Sequence, residues 1–261
     1  MRTEGLDPAR SPAHLPATVI EFRGTSLPVR DDITRAHERA WARLACAGSW
    51  WTGEERVAIA AEARAAEDCA FCSEAKAALS PFSVEGEHTS VTQLPAPAID
   101  AVHRVVRDSS RLTKSWVEKL ASDGLTDAQY VELVGVVVTV MSIDGVCRGL
   151  GAALHPLPRP VPGEPKRVRP APLEEGVAFV PMLTKALGDN ADIFPGPIAP
   201  NVLRALSLVP DEVRQLRELG AAHYLPDKLV PAAGHAPGRA LERSQIELVA
   251  SRVSALNECF Y

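Results

Sequence analysis

Cys69 and Cys72 lie in the sequence Cys-Ala-Phe-Cys, the one close pair among the five cysteines of a 261-residue chain. On a helix this spacing is about one turn, which brings two sulfurs within disulfide reach, one thiolate able to attack and the other to resolve. The same spacing suits zinc. Zinc held by this pair would need two more ligands, and the sequence offers neither a second close cysteine pair nor a His-x₃₋₅-His. The expectation is therefore a redox pair with no metal and no cofactor. Glu62, Cys69, Cys72 and Lys76 follow spacings of seven, three and four, which puts them on one helical face. A free thiol has a pKa of about 8.5 and needs help to ionise. Lys76, one turn beyond Cys72, is expected to favour the Cys72 thiolate. Glu62, two turns before Cys69, is expected to accept or pass a proton if buried. One thiolate would then reduce an oxidant to leave a sulfenate, the other would close the disulfide, and an external dithiol would reopen it.

Other residues read more plainly. Cys46, Cys147 and Cys259 taken singly are expected to be small buried hydrophobes, and two core cysteines is the bland reading of the pair itself. His88 falls in a loop and His103 in a helix, with no partner spacing, and both read as surface or satisfied core histidines. Trp50 and Trp51 are expected to pack under the cysteine helix or at a subunit interface. Ser142 and Asp144 have no Gly-x-Ser-x-Gly context, so a hydrolase triad has no support.

The elements that must carry the pair are helical. After a Pro-rich, polar arm over residues 1–30, DDITRAHERAWARLACAG begins with acidic residues and ends near Gly48. Thr52 and Glu55 have capping-box spacing, and a helix is expected to run unbroken from there to Leu79, stopped by Ser80-Pro81. AIDAVHRVVRDSSRLTKSWVEKLASDG gives a third helical stretch, and Thr126-Asp127 begins a fourth. The valine run from Val134 to Val140 could be a strand by propensity. It reads as helix because its flanks are helical and no second strand exists to pair with it. Residues 156–172 contain seven prolines and form an extended connector within a linker drawn at 156–174. NVLRALSLVPDEVRQLRELGAAHYL and ALERSQIELVASRVSALNECFY read as two further helices. With no β-hairpin signal, the fold class expected is all-α, in two helical units, 31–155 and 175–261.

Composition narrows the function. The chain is 46% apolar and 23% charged, values of a folded soluble protein. A net charge of −5 gives no broad cationic surface for nucleic acid. The apolar run Val134–Met141 is far short of the roughly 20 residues of a membrane span, and the N-terminus is not a secretory signal. Scattered cysteines do not form a secreted disulfide framework. The expected location is the reducing cytoplasm, with no nucleic acid or membrane as partner.

The last helix resembles the cysteine helix: at a shift of 190, VAIAAEARAAEDCAF faces ELVASRVSALNECFY, with Cys259 on Cys69. RSQIELVASRVSALNECFY in turn resembles the active-site helix of the alkylhydroperoxidase D-like, or carboxymuconolactone decarboxylase-like, superfamily. PNVLRALSLVP resembles the helix before it, and YVELVGVVVTVMSIDGVCRGLG a later one. WTGEERVAIAAEARAAEDCAFC looks like a diverged copy of the active-site helix. The resemblance covers roughly residues 32–155 and 198–261. It implies an all-α fold, homo-oligomers, and in the thiol members peroxide reduction through a Cys-x-x-Cys pair aided by a Glu and a His. Other members are decarboxylases without the pair.

This chain departs from that pattern. In the first copy Val57 stands at the Glu position and Lys76 at the His position. In the second, Glu247 and Cys259 are in place, and the sequence stops at Tyr261, where position 262 would be the second thiol. A shortened chain, a natural end with an inactive half-site, and a UGA codon meant for selenocysteine each account for this. The expectation adopted is an extension with Cys or selenocysteine at 262 and a His about four residues later, the half-site being inactive as it stands. The function expected is a thiol-dependent oxidoreductase acting on a small peroxide or disulfide with an external dithiol reductant. A non-catalytic oligomeric helical protein and a decarboxylase-like enzyme acting on a small lactone are the alternatives. Self-association is expected also because the valine-rich face at Val134 to Val140 offers more apolar surface than one incomplete second copy can cover.

Overall fold

The computed structural model describes residues 15–194, 196, 199–230, 234, 238–257 and 259. The capping signals act where the sequence places them. Helix α1 (Asp31–Ala45) carries Asp31 and Asp32 in its first turn and buries Ala36, Ala40, Trp41 and Leu44, a stripe at helical spacing. Thr52 and Glu55 close a capping box at the start of α2 (Gly53–Ala65). Thr126 and Gln129 close another at the start of α6 (Asp127–Gly149). The turn before α2 is tight: a Cβ on Gly48 would lie 1.8 Å from Glu132 Oε1, so only glycine fits.

Between these come α3 (Ala70–Ala77), α4 (Ala96–Asp108) and α5 (Lys114–Ser122). The valine run is helix, inside α6. This helix is long and apolar enough to cross a membrane, yet it packs against α2, α4 and α8 and holds Glu132 and Asp144 fully buried. It is a core helix here, and its valine face is largely used up within the chain.

The covered segments bind this core together. Residues 15–30 lie along it, burying Ile20 and packing Phe22 on His37. Within the Pro-rich connector, Val161 N–H bonds to the Ala45 carbonyl and Arg167 N–H to that of Ser49. Strands β1 (Leu173–Glu174) and β2 (Met182–Leu183) then form a small antiparallel ribbon, Leu173 opposite Leu183. Helix α7 (Asn201–Arg204) leads to α8 (Pro210–His223). Leu203, Leu208 and Val213 join the same core as Trp41, Leu133 and Val136, so α8 seals α1 and α6 rather than founding a core of its own. Arg56 of α2 is buried between Glu132 of α6 and Glu212 of α8, and this ion triad fixes the three helices. Removing Arg56 would leave two buried carboxylates without their cation, a cost of about 3–5 kcal/mol.

The all-α class stands, with several breaks that the sequence pattern did not show. The helix expected to run through Cys69 stops at Ala65, passes through a 3₁₀ turn at Ala66–Asp68, and restarts at Ala70. The third stretch divides into α4 and α5, and NVLRALSLVPDEVRQLRELGAAHYL into α7 and α8, with Pro210 in the first turn of α8, where its fixed φ and missing N–H cost nothing. Helix α9 (Arg243–Leu256) has no buried residue. Leu248, Val249, Val253 and Leu256 on it are more than half exposed. Exposed apolar surface therefore lies on α9, not on the valine run.

A candidate dithiol–histidine site

The break at Cys69 is what builds the site. Cys69 is extended (φ −69°, ψ 118°) and occupies the N-cap position of α3, its carbonyl accepting from the Ser73 N–H. Cys72 follows in the first turn. The start of a helix presents unpaired N–H groups and the positive end of its dipole, a setting that lowers a thiol's pKa. Burial of Cys69 opposes ionisation. The amides of Thr89 and Cys72, with His88 and the Cys72 thiol, outweigh it and bring the Cys69 pKa down to about 6. Burial pushes Cys72 the other way, up to about 12, with the hydrogen bond to Cys69 and the Cys69 charge adding and Arg107 and Arg104 opposing.

Two histidines complete the cluster. His88, from the segment between α3 and α4, places Nδ1 3.3 Å from Cys72 Sγ and 3.9 Å from Cys69 Sγ. His103, from α4, places Nδ1 3.3 Å from Cys72 Sγ. The Nε2 of each ring faces a carboxylate: His88 on Asp100 at 3.0 Å, His103 on Glu62 at 3.1 Å. The ligand-capable atoms of Cys69, Cys72, His88 and His103 all lie within 4.8 Å of one another.

The supporting shell is ordered in turn. Glu62 is fully buried and accepts from Ser90 Oγ at 2.6 Å, Thr92 Oγ1 at 2.6 Å and Val91 N–H at 3.0 Å. Burial would raise its pKa, but these donors and His103 hold it below the usual carboxylate range. Glu62 thus straps the segment carrying His88 over the sulfurs. Asp100 also accepts from Arg104 at 2.7 Å and Trp116 Nε1 at 2.7 Å. It is half-buried, which works to raise its pKa, but His88, Trp116 and Arg104 together bring it down to about 2. Phe71 packs edge-on against His88, centroids 4.9 Å apart. A Cβ on Gly86 would come within 2.6 Å of that Phe71 ring.

Several expectations change. Cys69, Cys72 and Glu62 do share one site, but Glu62 reaches Cys72 through His103 instead of along a common helical stripe. Lys76 is exposed, and the cations acting on Cys72 are Arg107 and Arg104. The sulfur favoured as thiolate is Cys69 and not Cys72, because the Thr89 amide and, at the helix start, the Cys72 amide both donate to it. His88 and His103 are satisfied, as expected of core histidines, and what the sequence did not show is that their partners are the two sulfurs and two carboxylates. Sequence spacing could not find them, since His103 stands 41 residues from Glu62; the one local hint is a histidine on the buried face of α4 beside Ala101 and Val102.

A second cluster lies between the arm, α1, α6 and α8. His155 Nε2 is 3.4 Å from Cys147 Sγ and 3.2 Å from His37 Nδ1, and His37 Nε2 is 2.9 Å from His223 Nε2. Burial, with the neighbouring rings adding, lowers the His37 pKa to about 3. Burial, with Arg30 adding, lowers His223 to about 4. Cys147 is buried as expected, and Cys46 is half-buried.

The C-terminal half-site is built differently. Glu247 accepts from the Tyr224 hydroxyl and from Arg243, and Cys259 is exposed. Tyr261 lies outside the described residues. Trp51 packs in the core and donates to the Gln129 carbonyl at 2.9 Å.

Compared with protein-family models, with curated proteins and with solved structures, the chain matches none of them.

Proposed function

We propose that the chain is a thiol oxidoreductase that reduces a small peroxide or disulfide, with Cys69 as the attacking sulfur and Cys72 as the resolving one. The observation that carries this reading is the pairing of the two sulfurs at the start of α3 with two histidines, each backed by a carboxylate. That arrangement supplies a nucleophile, a resolving thiol, and separate proton carriers. The likeness of the sequence to the alkylhydroperoxidase D-like superfamily points the same way.

With a peroxide ROOH, the Cys69 thiolate attacks one oxygen and the O–O bond breaks. The departing alkoxide takes a proton from His88 Nδ1, in the imidazolium form that Asp100 supports, and leaves as ROH. Cys69 is then a sulfenic acid. His103 Nδ1 takes the proton of Cys72, its Nε2–H held by Glu62. The Cys72 sulfur attacks the Cys69 sulfur, and hydroxide leaves, gaining the His103 proton to become water. The products are ROH, water and a Cys69–Cys72 disulfide, which an external dithiol reduces by exchange. Both sulfurs are buried, so the segment tied down by Glu62 must open for substrate to reach Cys69.

The test is mass spectrometry of reduced, metal-free protein after one equivalent of peroxide. A loss of two hydrogens at the peptides carrying Cys69 and Cys72, restored by dithiothreitol, is expected. Two free thiols at these positions in folded protein, after all the peroxide has been offered, would end the proposal.

A further inference from the structure

The reduced site has the composition and geometry of a metal centre. Two thiolate-capable sulfurs and two imidazole nitrogens converge from three stretches of chain, all four donor atoms within 4.8 Å of one another. Zinc in a Cys₂His₂ site binds sulfur at about 2.3 Å and nitrogen at about 2.0–2.1 Å with tetrahedral angles, which puts neighbouring donors roughly 3.3–3.8 Å apart. The measured sulfur–nitrogen separations are 3.3, 3.3 and 3.9 Å. The backing of the rings is a second, independent indication. A histidine that ligates a metal through one nitrogen commonly donates its other N–H to a carboxylate, which fixes the tautomer and aims the lone pair. Both rings here do so, His88 on Asp100 and His103 on Glu62, and both aim Nδ1 at the sulfurs. Sequence spacing argued against zinc for want of two more ligands; the fold supplies them from the segment after α3 and from α4.

We infer that Cys69, Cys72, His88 and His103 bind a zinc-class divalent cation when the cysteines are reduced, and that the bound metal masks the thiols until an oxidant displaces it. The masking rests on the thiol chemistry proposed above, whereas the metal site does not. Four protein ligands fill a tetrahedron, and Cys69 and His103 are fully buried. The loaded site is therefore closed, with no open position for a substrate, as in structural rather than catalytic zinc centres. N and S donors select zinc over magnesium or calcium. Oxidation balances as follows: the two metal-bound thiolates give up two electrons and join as a disulfide, hydrogen peroxide takes those electrons and two protons to become two waters, and the metal ion is released.

Cobalt(II) is the probe, because tetrahedral sulfur ligation gives it visible and near-ultraviolet absorption. Reduced full-length protein is freed of metal, titrated with cobalt chloride, and then challenged with zinc chloride. One cobalt per chain is expected, with a tetrahedral spectrum that zinc abolishes. Cys72→Ser and His103→Gln, each verified as folded by circular dichroism, should lose that spectrum. Glu62→Gln and Asp100→Asn should keep it while weakening the affinity about 10–100-fold, and Cys259→Ser should change nothing. Protein oxidised to the disulfide should bind no cobalt. Absence of a saturable tetrahedral spectrum in reduced wild-type protein overturns the site, as does a spectrum that survives both Cys72→Ser and His103→Gln. Adding peroxide to zinc-loaded and metal-free protein separates the two proposals. Slower disulfide formation in the loaded sample, with zinc released in step, supports masking, and equal rates overturn it. Failure of the metal-free sample to form any disulfide counts against the oxidoreductase reading while leaving the cobalt result to stand.

Discussion

Among the described residues there are two clusters of cysteine and histidine, and their wiring differs. Around Cys69 and Cys72 each ring turns one nitrogen to a carboxylate and the other to sulfur. Around Cys147 the rings of His155, His37 and His223 bond to one another in a row, and the carboxylate beside His155, Asp144, is taken by Arg64 in a bidentate pair at 2.7 and 2.8 Å. Carboxylates make the first cluster converge, because each fixes which nitrogen is left with a free lone pair. Without them the second cluster spreads into a chain of neutral rings, since a proton on one would sit in a buried site beside the others. The first arrangement suits proton transfer and metal binding. The second suits the packing of the N-terminal arm against α1 and α8.

The largest expected effect tests whether chemistry belongs to the first cluster alone. Cys69→Ser should abolish peroxide-driven thiol oxidation at Cys72 and any dithiol-coupled turnover, while Cys147→Ser should leave both unchanged. An equal loss in the two variants would erase the distinction. Next, His103→Gln should slow disulfide closure about 10²–10⁴-fold, the usual weight of a positioned general base, and leave the first attack by Cys69 intact. Stopped-flow kinetics would then show sulfenic acid accumulating. A uniform slowing of both steps would assign His103 to structure only.

Acid should separate the clusters in stability. His37 and His223 are held neutral in the folded chain, near 3 and 4, against about 6.5 when unfolded. Their contribution is complete above pH 6.5 and is lost progressively as pH falls from there toward the two folded values, because over that interval only the unfolded chain takes up the protons. Urea midpoints should drop between pH 7 and 4.5 by the equivalent of about 5 kcal/mol, roughly 2.5 for each ring. Replacing His37 by Gln should flatten that dependence, and an unchanged slope would mean that these rings are not buried neutral. Asp100, held near 2, weakens the fold only as pH falls below the unfolded carboxylate value of about 3.9 toward 2, well beneath the histidine window.

The smallest effects concern residues that the sequence promoted and the fold did not. Lys76→Met should leave the rate–pH profile of thiol alkylation unchanged, because Lys76 is exposed. Cys259→Ser and Glu247→Gln should change stability by no more than about 0.5 kcal/mol and leave peroxide oxidation of the first site untouched. A measurable loss in either would give the α9 half-site a role in the chain as it stands.

Local signals were enough to place most of the helical stretches and to single out one close cysteine pair. Capping residues at Thr52 and Thr126, apolar spacing in α1 and the unbroken flanks of the valine run act within a few residues, so they are legible along the chain. The Cys-x-x-Cys spacing is equally local. Tertiary structure decided which sulfur is favoured as thiolate and what surrounds it. The break at Cys69 follows no glycine or proline; it moves Cys69 from mid-helix to a helix start and reverses the preference for Cys72. His88, His103 and Asp100 gather at the sulfurs only because α4 packs across α2 and α3 and Glu62 straps the intervening segment down. The half-site on α9 shows the reverse case. Its sequence resembles the family helix best, yet α9 buries none of its residues and Glu247 bonds to Tyr224 and Arg243. A motif names the groups that could react, but burial and orientation are long-range properties, set by which helices meet, and these decide whether the groups share a site.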